Sequence, residues 1–149
     1  MLRVPVQRLR SGVGGRAVAS VDVSPYRESL NVVGGCRGLI DTGAETSGIS
    51  ASLARELGLS SEGNKRTMAT ASDPSVRMPA HDLWITLPFV DSFDIYDAYE
   101  FPDSLKNVDV IIGMDILMRL DGVMRKRERV IELFLPREEG IFRRRFIRL

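Results

Sequence analysis

Residues 38–44 read Gly-Leu-Ile-Asp-Thr-Gly-Ala and form the most informative segment of the chain. An apolar run, which suits a buried strand, ends abruptly at Asp41. The Thr-Gly pair that follows favours a sharp turn in which backbone amides can face the carboxylate. An isolated Asp-Thr-Gly more often marks a turn whose aspartate binds only its own backbone. The interpretation therefore depends on the rest of the chain.

A second segment complements the first. Residues 110–117 read Val-Ile-Ile-Gly-Met-Asp-Ile-Leu. Their three leading apolar residues predict a short strand that is buried on both faces. Gly113 ends that strand, and residues 114–120 can form a short helix.

Together, the two segments resemble the signatures of the retropepsin-like aspartic proteases, and they occur in the order and separation typical of that family. The resemblance covers about residues 28–135. It implies a mainly β fold, a retropepsin-like closed β-barrel or acid-protease half with two short helices. It also implies a two-fold dimer.

The resemblance assigns a role to each matching residue. Asp41 would be the catalytic carboxylate, Thr42 would hydrogen-bond to its mate across the dimer axis, and Gly43 would contact the substrate backbone. Gly113 would lie where the chain crosses beneath the active-site loop. The implied substrate-binding residues are Ala44, Glu45, Ala69, Thr70, Ala71, Ser72 and Ile112.

Three positions depart from the viral members of the family. Glu45 stands where those enzymes usually carry aspartate, and Met114 stands where they carry an arginine that braces it. Residues 68–76 would form the flap that closes over a peptide, but their tip reads Ser-Asp-Pro instead of a glycine-rich sequence. These departures bear on substrate preference and flap motion more than on the fold.

A single Asp-Thr-Gly is enough for catalysis if two chains combine. Peptide hydrolysis without a metal or a covalent nucleophile needs a base that activates water and an acid that protonates the carbonyl. Two carboxylates about 3 Å apart share one proton and can fill both roles. An isologous two-fold interface would bring Asp41 opposite Asp41 of a second copy. The sequence therefore predicts an aspartic endopeptidase that acts as a homodimer on peptide or protein substrates.

Other local patterns predict the surrounding elements. Gly34 and Gly35, between apolar segments, predict a tight hairpin. Residues 50–59 predict a short helix with a serine cap and Gly58 at its end. A change in the parity of the apolar residues predicts a bulge between Ala80 and Leu83.

The remaining divisions are coarser. Residues 91–109, rich in aspartate and tyrosine, predict a loop with one irregular strand. Residues 1–27 form an N-terminal strand or extension that could lie at the dimer interface, and residues 28–135 form the protease domain. Residues 136–149 form a basic C-terminal tail whose arginines alternate with apolar residues. Packing of this tail against a partner subunit is favoured over nucleic-acid binding.

Composition excludes several other classes of site. Cys36 and His81 are the only cysteine and histidine, too few for a zinc site built from these residues. We therefore expect no metal and no cofactor. A lone histidine is more often structural than catalytic, which argues against a Ser-His-Asp or Cys-His site. The sequence shows neither a secretory signal nor a membrane span, so we expect a soluble, cytoplasmic protein.

Two alternatives remain open at this stage. The same fold could serve as a dimerising or peptide-binding module without catalysis, because a fold does not imply a function. Residues 41–46 also resemble the first phosphate loop of the actin and sugar-kinase superfamily. That fold needs two lobes, for which 149 residues are too few.

Overall fold

The computed structural model describes residues 1–8, 15–60, 62, 64–68, 75–103, 105, 107–125 and 127–136. These residues form ten strands and two short helices. The elements are β1 (Leu2–Arg8), β2 (Gly15–Ser24), β3 (Val33–Ile40), β4 (Gly48–Ser50), α1 (Ala51–Glu56), β5 (Lys65–Met68), β6 (Val76–Leu87), β7 (Asp91–Phe101), β8 (Val110–Ile112), α2 (Met114–Leu117), β9 (Asp121–Arg125) and β10 (Val130–Phe134).

The strands join into one sheet in the order β5-β6-β7-β4-β8-β3-β2-β1-β10-β9. An additional antiparallel pairing of β6 with β2 closes β2, β3, β8, β4, β7 and β6 into a ring. Most neighbours are antiparallel, but β3 pairs with β8 and β4 pairs with β7 in parallel. The mainly β, closed-barrel fold with two short helices expected from the sequence is therefore confirmed.

Alternating side chains of the ring fill its interior. Val21, Ile49, Ile85 and Ile112 are fully buried there, and Ile116 of α2 closes one end of the same core. A smaller group of buried side chains lies apart from this main core. This second cluster consists of Tyr99, Phe101, Val108 and Ile111, with Leu39, Ala44, Met78 and Leu105 packed against it.

The hairpin predicted at Gly34 and Gly35 is wrong, because β3 runs without interruption through both glycines. Gly35 has a φ of 71° and its N–H donates to a carboxylate oxygen of Asp22 at 2.9 Å. The pairing of β2 with β3 also shifts register beside Val21. The glycines thus accommodate an irregularity within a strand instead of reversing the chain.

The irregular strand predicted within residues 91–109 is present, but the predicted loop is wrong over residues 91–101, because the strand occupies all of them. β7 is a strand from Asp91 to Phe101 that pairs with β6 along most of its length, and it is irregular at Asp97, which has a φ of 56° where the register shifts. Asp91 and Asp97 are exposed and Asp94 is partly buried, while Phe93 and Ile95 are buried in the core. The predicted bulge is confirmed, because the register of β6 with β7 shifts between His81 and Leu83.

The helix predicted near residues 50–59 is confirmed as α1. The Ser50 hydroxyl accepts a hydrogen bond from the backbone N–H of Leu53 at 3.2 Å, which caps the helix. Leu53 and Leu57 are buried against the main core. Gly58 follows the helix with a φ of 70°, a conformation that glycine adopts at no steric cost.

Candidate active site

Asp41 directly follows β3, at the point where that strand and β8 end side by side. Ile40 pairs with Ile112 in the parallel ladder, and the Asp41 backbone N–H donates to the Ile112 carbonyl at 3.0 Å. Two adjacent strand ends therefore hold the backbone of Asp41. The side chain itself is only half-buried, so its carboxylate is accessible from outside the barrel.

A tight turn follows the aspartate. The Gly43 N–H donates to Asp41 Oδ1 at 2.9 Å, and the Ala44 N–H donates to the Asp41 carbonyl at 3.2 Å. A Cβ at Gly43 would lie 3.2 Å from the same carboxylate oxygen. The absence of a side chain at Gly43 therefore leaves room beside the carboxylate. Thr42 and Gly43 are exposed at the tip of the turn.

Gly113 lies directly beneath this loop. A Cβ there would come within 2.6 Å of the Thr46 carbonyl carbon and 2.9 Å of the Ala44 carbonyl oxygen. Met114, the next residue, donates its N–H to the same Ala44 oxygen at 2.8 Å. The start of α2 thus supports the loop through backbone contacts that only glycine permits.

Ser47 and Asp115 fasten the loop to α2. The Ser47 hydroxyl donates to Asp115 Oδ1 at 2.6 Å, and the Ser47 N–H donates to Asp115 Oδ2 at 2.9 Å. The Gly113 N–H in turn donates to the Ser47 hydroxyl at 3.0 Å. Ser47 is fully buried, so each of these bonds replaces hydration lost on folding.

Sequence reasoning missed this network. It drew attention to Glu45 and Met114, but Glu45 is exposed and the backbone N–H of Asp115 donates to its carbonyl at 3.2 Å. The bracing carboxylate is instead Asp115. The available signal was an aspartate in the first turn of the helix predicted after Gly113, but nothing in the sequence identified Ser47 as its partner.

The second cluster borders the loop on another side. Ala44 packs against it, and the Tyr99 ring lies so close to Gly48 that a Cβ there would approach its Cζ to 2.7 Å. Burial, followed by the negative charges of Asp41 and Asp115, raises the pKa of the Tyr99 hydroxyl from 10.0 to about 12. Tyr99 therefore remains protonated, and neutral, near the loop.

Of the other predicted substrate-binding residues, one lies in the main core and four lie outside the described residues. Ile112 is fully buried in the main core, whereas Ile111 belongs to the second cluster beside Ala44. Ala69, Thr70, Ala71 and Ser72 lie outside the described residues. The strands that lead to and from them, β5 and β6, pair from Lys65 with Pro79 to Met68 with Val76.

His81 lies in the strand pair β6 and β7. Its Nε2 is 2.8 Å from an oxygen of Glu100, and only 5% of the His81 side chain is exposed. Within the described ranges, no three His, Cys, Asp or Glu side chains are grouped so that they could hold a metal ion. No helix in the described part of the chain is long and apolar enough to cross a membrane.

Comparison with known proteins agrees with this geometry. A family model described as aspartyl protease matches residues 31–116, which is more than half of the chain. The chain therefore belongs to the aspartyl protease family. The match spans the loop of Asp41, the second cluster and most of α2.

Two solved structures resemble this one to different degrees, and the first of them supports the fold. A retropepsin-like aspartic protease from Rickettsia conorii superposes with a TM-score of 0.59 at 18% identity, covering 89% of this chain and 90% of that one. The retroviral protease-like domain of Ddi1 from Leishmania major gives a TM-score of 0.47 at 18% identity, covering 83% of this chain and 98% of that one. No curated protein matches the sequence. The fold is thus retropepsin-like, and family membership supports a protease-like function.

Proposed function

We propose that this protein is an aspartic endopeptidase that hydrolyses peptide bonds with a water activated by Asp41 and Asp41 of a second copy. The observation that carries the proposal is the placement of Asp41. Its carboxylate is accessible at the joined ends of β3 and β8, and the Gly43 N–H holds one of its oxygens at 2.9 Å. A fixed carboxylate that faces solvent is suited to a general acid or base.

The proposed reaction uses two copies of the site. One Asp41, ionised, accepts a proton from the attacking water, while the other, protonated, donates its proton to the carbonyl oxygen of the scissile bond. Water adds to the carbonyl carbon to give a tetrahedral diol, and the carbon–nitrogen bond then breaks as the amine takes up a proton. In this proposal Thr42 hydrogen-bonds to its mate across the axis.

Substrate contacts follow from the surroundings of the loop. Gly43 offers its open side to a peptide backbone, and the partly buried Ala44 and the exposed Glu45 follow it along the chain. We assign the apolar contact from β8 to Ile111 instead of Ile112, because Ile112 is fully buried in the main core. Residues 68–76 remain the proposed flap, and residues 69–72 within it remain proposed substrate contacts. The cytoplasmic location expected from the sequence remains part of the proposal.

The test is to replace Asp41 with asparagine, which keeps the size of the side chain but removes its acid and base chemistry. We expect cleavage of a peptide library, read by mass spectrometry, to fall by roughly 10³-fold or more. The matched control is Asp91→Asn, an exposed aspartate at the start of β7, which should leave cleavage unchanged.

Both variants should unfold at the same urea concentration as the wild-type protein, because neither change removes buried contacts. Wild-type cleavage by purified Asp41→Asn would overturn the proposal. So would cleavage that survives this substitution and disappears with a metal chelator. Absence of cleavage by the wild-type protein at concentrations where it is dimeric would favour the alternative of a dimerising or peptide-binding module.

A further inference from the structure

The hairpin formed by β6 and β7 carries large apolar side chains that are open to solvent. Phe89, in the turn of this β6–β7 hairpin, is 87% exposed, and Tyr96 of β7 is 68% exposed. Met118, which follows α2, is 75% exposed. Arg119, the next residue, connects this segment to β7, because one of its terminal nitrogens lies 3.2 Å from a carboxylate oxygen of Asp94. Exposed apolar groups that lie close together mark a surface that another chain segment can cover.

Phe89 has a backbone conformation that its exposure does not explain. Its φ is 64°, in the left-handed region that costs a large side chain free energy and that glycine adopts freely. Burial of the ring could offset this cost, but the side chain is almost entirely exposed. Strained residues of this kind persist where a contact or a function needs them. The phenylalanine therefore indicates that the ring has a partner beyond the described residues.

Acidic side chains accompany these apolar groups along the hairpin. Asp82 of β6 and Asp91 of β7 are exposed, and neither makes an ion pair with another described residue. The carboxylate of Asp94 raises the pKa of the Tyr96 hydroxyl, so negative charge and an aromatic ring lie side by side. A segment that combines positive charge with apolar side chains would complement this face.

The chain leaves β10 beside the turn of the hairpin. Leu133 pairs with Leu2 in the antiparallel ladder of β10 and β1. The same register brings Phe134 alongside Met1, whose amino group donates to the Phe89 carbonyl at 3.0 Å. The residues that follow β10 therefore start next to Phe89.

These following residues are long enough to cover the hairpin. Residues 137–149, which lie outside the described residues, come directly after Pro136. At about 3.3 Å per residue, an extended chain of this length can span roughly 43 Å. β7 has 11 residues and is about 36 Å long at that rise. The segment can therefore reach any point on the outer face of β7.

The composition of the final nine residues matches the face. Residues 141–149, here called the basic segment, read Ile-Phe-Arg-Arg-Arg-Phe-Ile-Arg-Leu and contain no acidic side chain. Arginine forms bidentate hydrogen bonds with carboxylates and stacks on aromatic rings. The hairpin already holds one arginine in this way, because the Arg27 guanidinium lies 5.6 Å from the centre of the Trp84 ring. The two phenylalanines of the segment offer apolar surface to Phe89 and Met118.

We propose that the basic segment docks on the outer face of the β6–β7 hairpin of its own chain, with arginines on the aspartates and a phenylalanine against Phe89. Residues 135–140 tether the segment beside this face at a high effective concentration, which favours its own hairpin over other partners. Nucleic acid is disfavoured at the face, because the aspartates would repel phosphate groups. The inference does not use Asp41 and is independent of the proposed function.

The first test measures the proximity of the basic segment to β7 in the full-length protein. A nitroxide spin label on Ser92→Cys, in a Cys36→Ser background, broadens NMR signals of nearby amides. We expect the amide signals of residues 141–149 to lose most of their intensity at low salt, and to recover it in part at high salt. The matched control is the same label on Glu56→Cys, an exposed position of α1, which should leave these signals intact.

The second test changes the two surfaces with the label kept at Ser92→Cys. Phe89→Gly removes the ring and relieves the left-handed strain, so the folded chain should be no less stable, yet the broadening of the basic segment should decrease. Arg144→Glu, which reverses one charge of the segment, should decrease it as well. Leu30→Gly is the control, because it removes an exposed apolar side chain from the loop between β2 and β3 and should leave the broadening unchanged.

Several results would overturn the inference. One is broadening that is absent, or that is equal from the labels at Ser92→Cys and Glu56→Cys, since a free segment would show no preference for β7. Another is broadening that neither Phe89→Gly nor high salt reduces. In a mixture of isotope-labelled chains and separate spin-labelled chains, broadening of the basic segment would place it on another copy instead of its own chain. Release of the segment from β7 by an equimolar single-stranded oligonucleotide would identify nucleic acid as its preferred ligand.

Discussion

The two sides of the loop that follows β3 differ in burial and in what holds them. On the open side, Asp41 is half-buried and Thr42 and Gly43 are exposed. On the underside, only a few residues further along the chain, Thr46 and Ser47 are buried against the start of α2. The proposed catalytic groups and the buried supporting contacts thus lie on opposite sides of one short loop. Substitutions on the open side should therefore affect activity, and substitutions on the underside should affect stability.

Among substitutions on the underside of the loop, we expect the largest loss of stability at Gly113. We expect Gly113→Ala to lower the free energy of unfolding by on the order of 3 kcal/mol, because the new methyl group would meet backbone atoms of Thr46 and Ala44 within 3 Å. Backbone cannot move aside as a flexible side chain can, so the Asp41 loop itself must shift. Urea unfolding followed by circular dichroism measures the loss.

Gly122→Ala is the matched control for this prediction. At Gly122 the nearest atom to an added Cβ is Leu133 Cδ2 at 3.4 Å, which is an ordinary contact. We expect a change of no more than about 0.5 kcal/mol there. Equal stability of the two alanine variants would show that the underside of the loop is not tightly packed.

A substitution at Ser47 tests the hydrogen bonds on the underside of the loop, with a smaller expected loss of stability than at Gly113. Ser47→Ala removes the acceptor of the Gly113 N–H and one donor to Asp115. Because these groups are buried, we expect a loss of roughly 1 to 3 kcal/mol in the free energy of unfolding. Ser92→Ala removes a hydroxyl on an exposed residue, 2.8 Å from that of Thr86, and should cost no more than about 0.5 kcal/mol. A Ser47 variant as stable as the Ser92 variant would contradict the bracing role.

The local sequence pattern predicted the open side of the Asp41 loop well, but it did not predict the hydrogen bonds on the underside. The turn at Asp41 follows from three adjacent residues, and the strand at residues 110–112 follows from an apolar run ended by glycine. The bond between Ser47 and Asp115 joins residues 68 positions apart, and it depends on how β4 registers with β8. Neither residue has a local pattern that reveals the other.

The errors in strand prediction have a related cause. Gly34 and Gly35 have the composition of a turn, but the carboxylate of Asp22 in the neighbouring strand gives Gly35 a partner within the sheet. The aspartates of β7 suggested a loop because they are polar, although they occupy the exposed or partly buried positions of a strand whose other residues include the buried Phe93 and Ile95. In both cases pairing with a distant strand overrode a local preference.

A buried side chain within β3 offers a further test of the contrast with the accessible Asp41. The expected change in the free energy of unfolding is smaller still. The accessible Asp41 directly follows β3, but within the strand Cys36 is buried and its Sγ lies 3.4 Å from the Val33 carbonyl. Burial, followed by the negative charges of Asp109, Glu56 and Asp22, raises the pKa of the Cys36 thiol from 9.0 to about 11. This thiol should therefore titrate as part of the folded core.

The sign of the resulting pH dependence follows from the direction of the shift. Because the folded-state pKa is the higher one, the unfolded chain loses its proton first. The contribution of Cys36 to stability is therefore fully present below about pH 9 and is lost as the pH rises through about 11. At pH 10 we expect a loss of about 1 kcal/mol relative to pH 8, measured by urea unfolding. Tyr99, whose pKa is raised to about 12, adds a smaller loss at pH 10.

Cys36→Ser isolates the thiol from every other group that titrates in this range. Serine keeps a donor for the Val33 carbonyl but does not ionise, so the part of the loss due to Cys36 should disappear while the part due to Tyr99 remains. The comparison uses the change between pH 8 and pH 10 within each protein, so any constant cost of the substitution cancels. If wild-type and Cys36→Ser proteins lose the same stability over that interval, then the thiol ionises as readily in the folded as in the unfolded chain. In that case β3 would be open to solvent at Cys36 as well as at Asp41, and the contrast between its buried and accessible positions would fail.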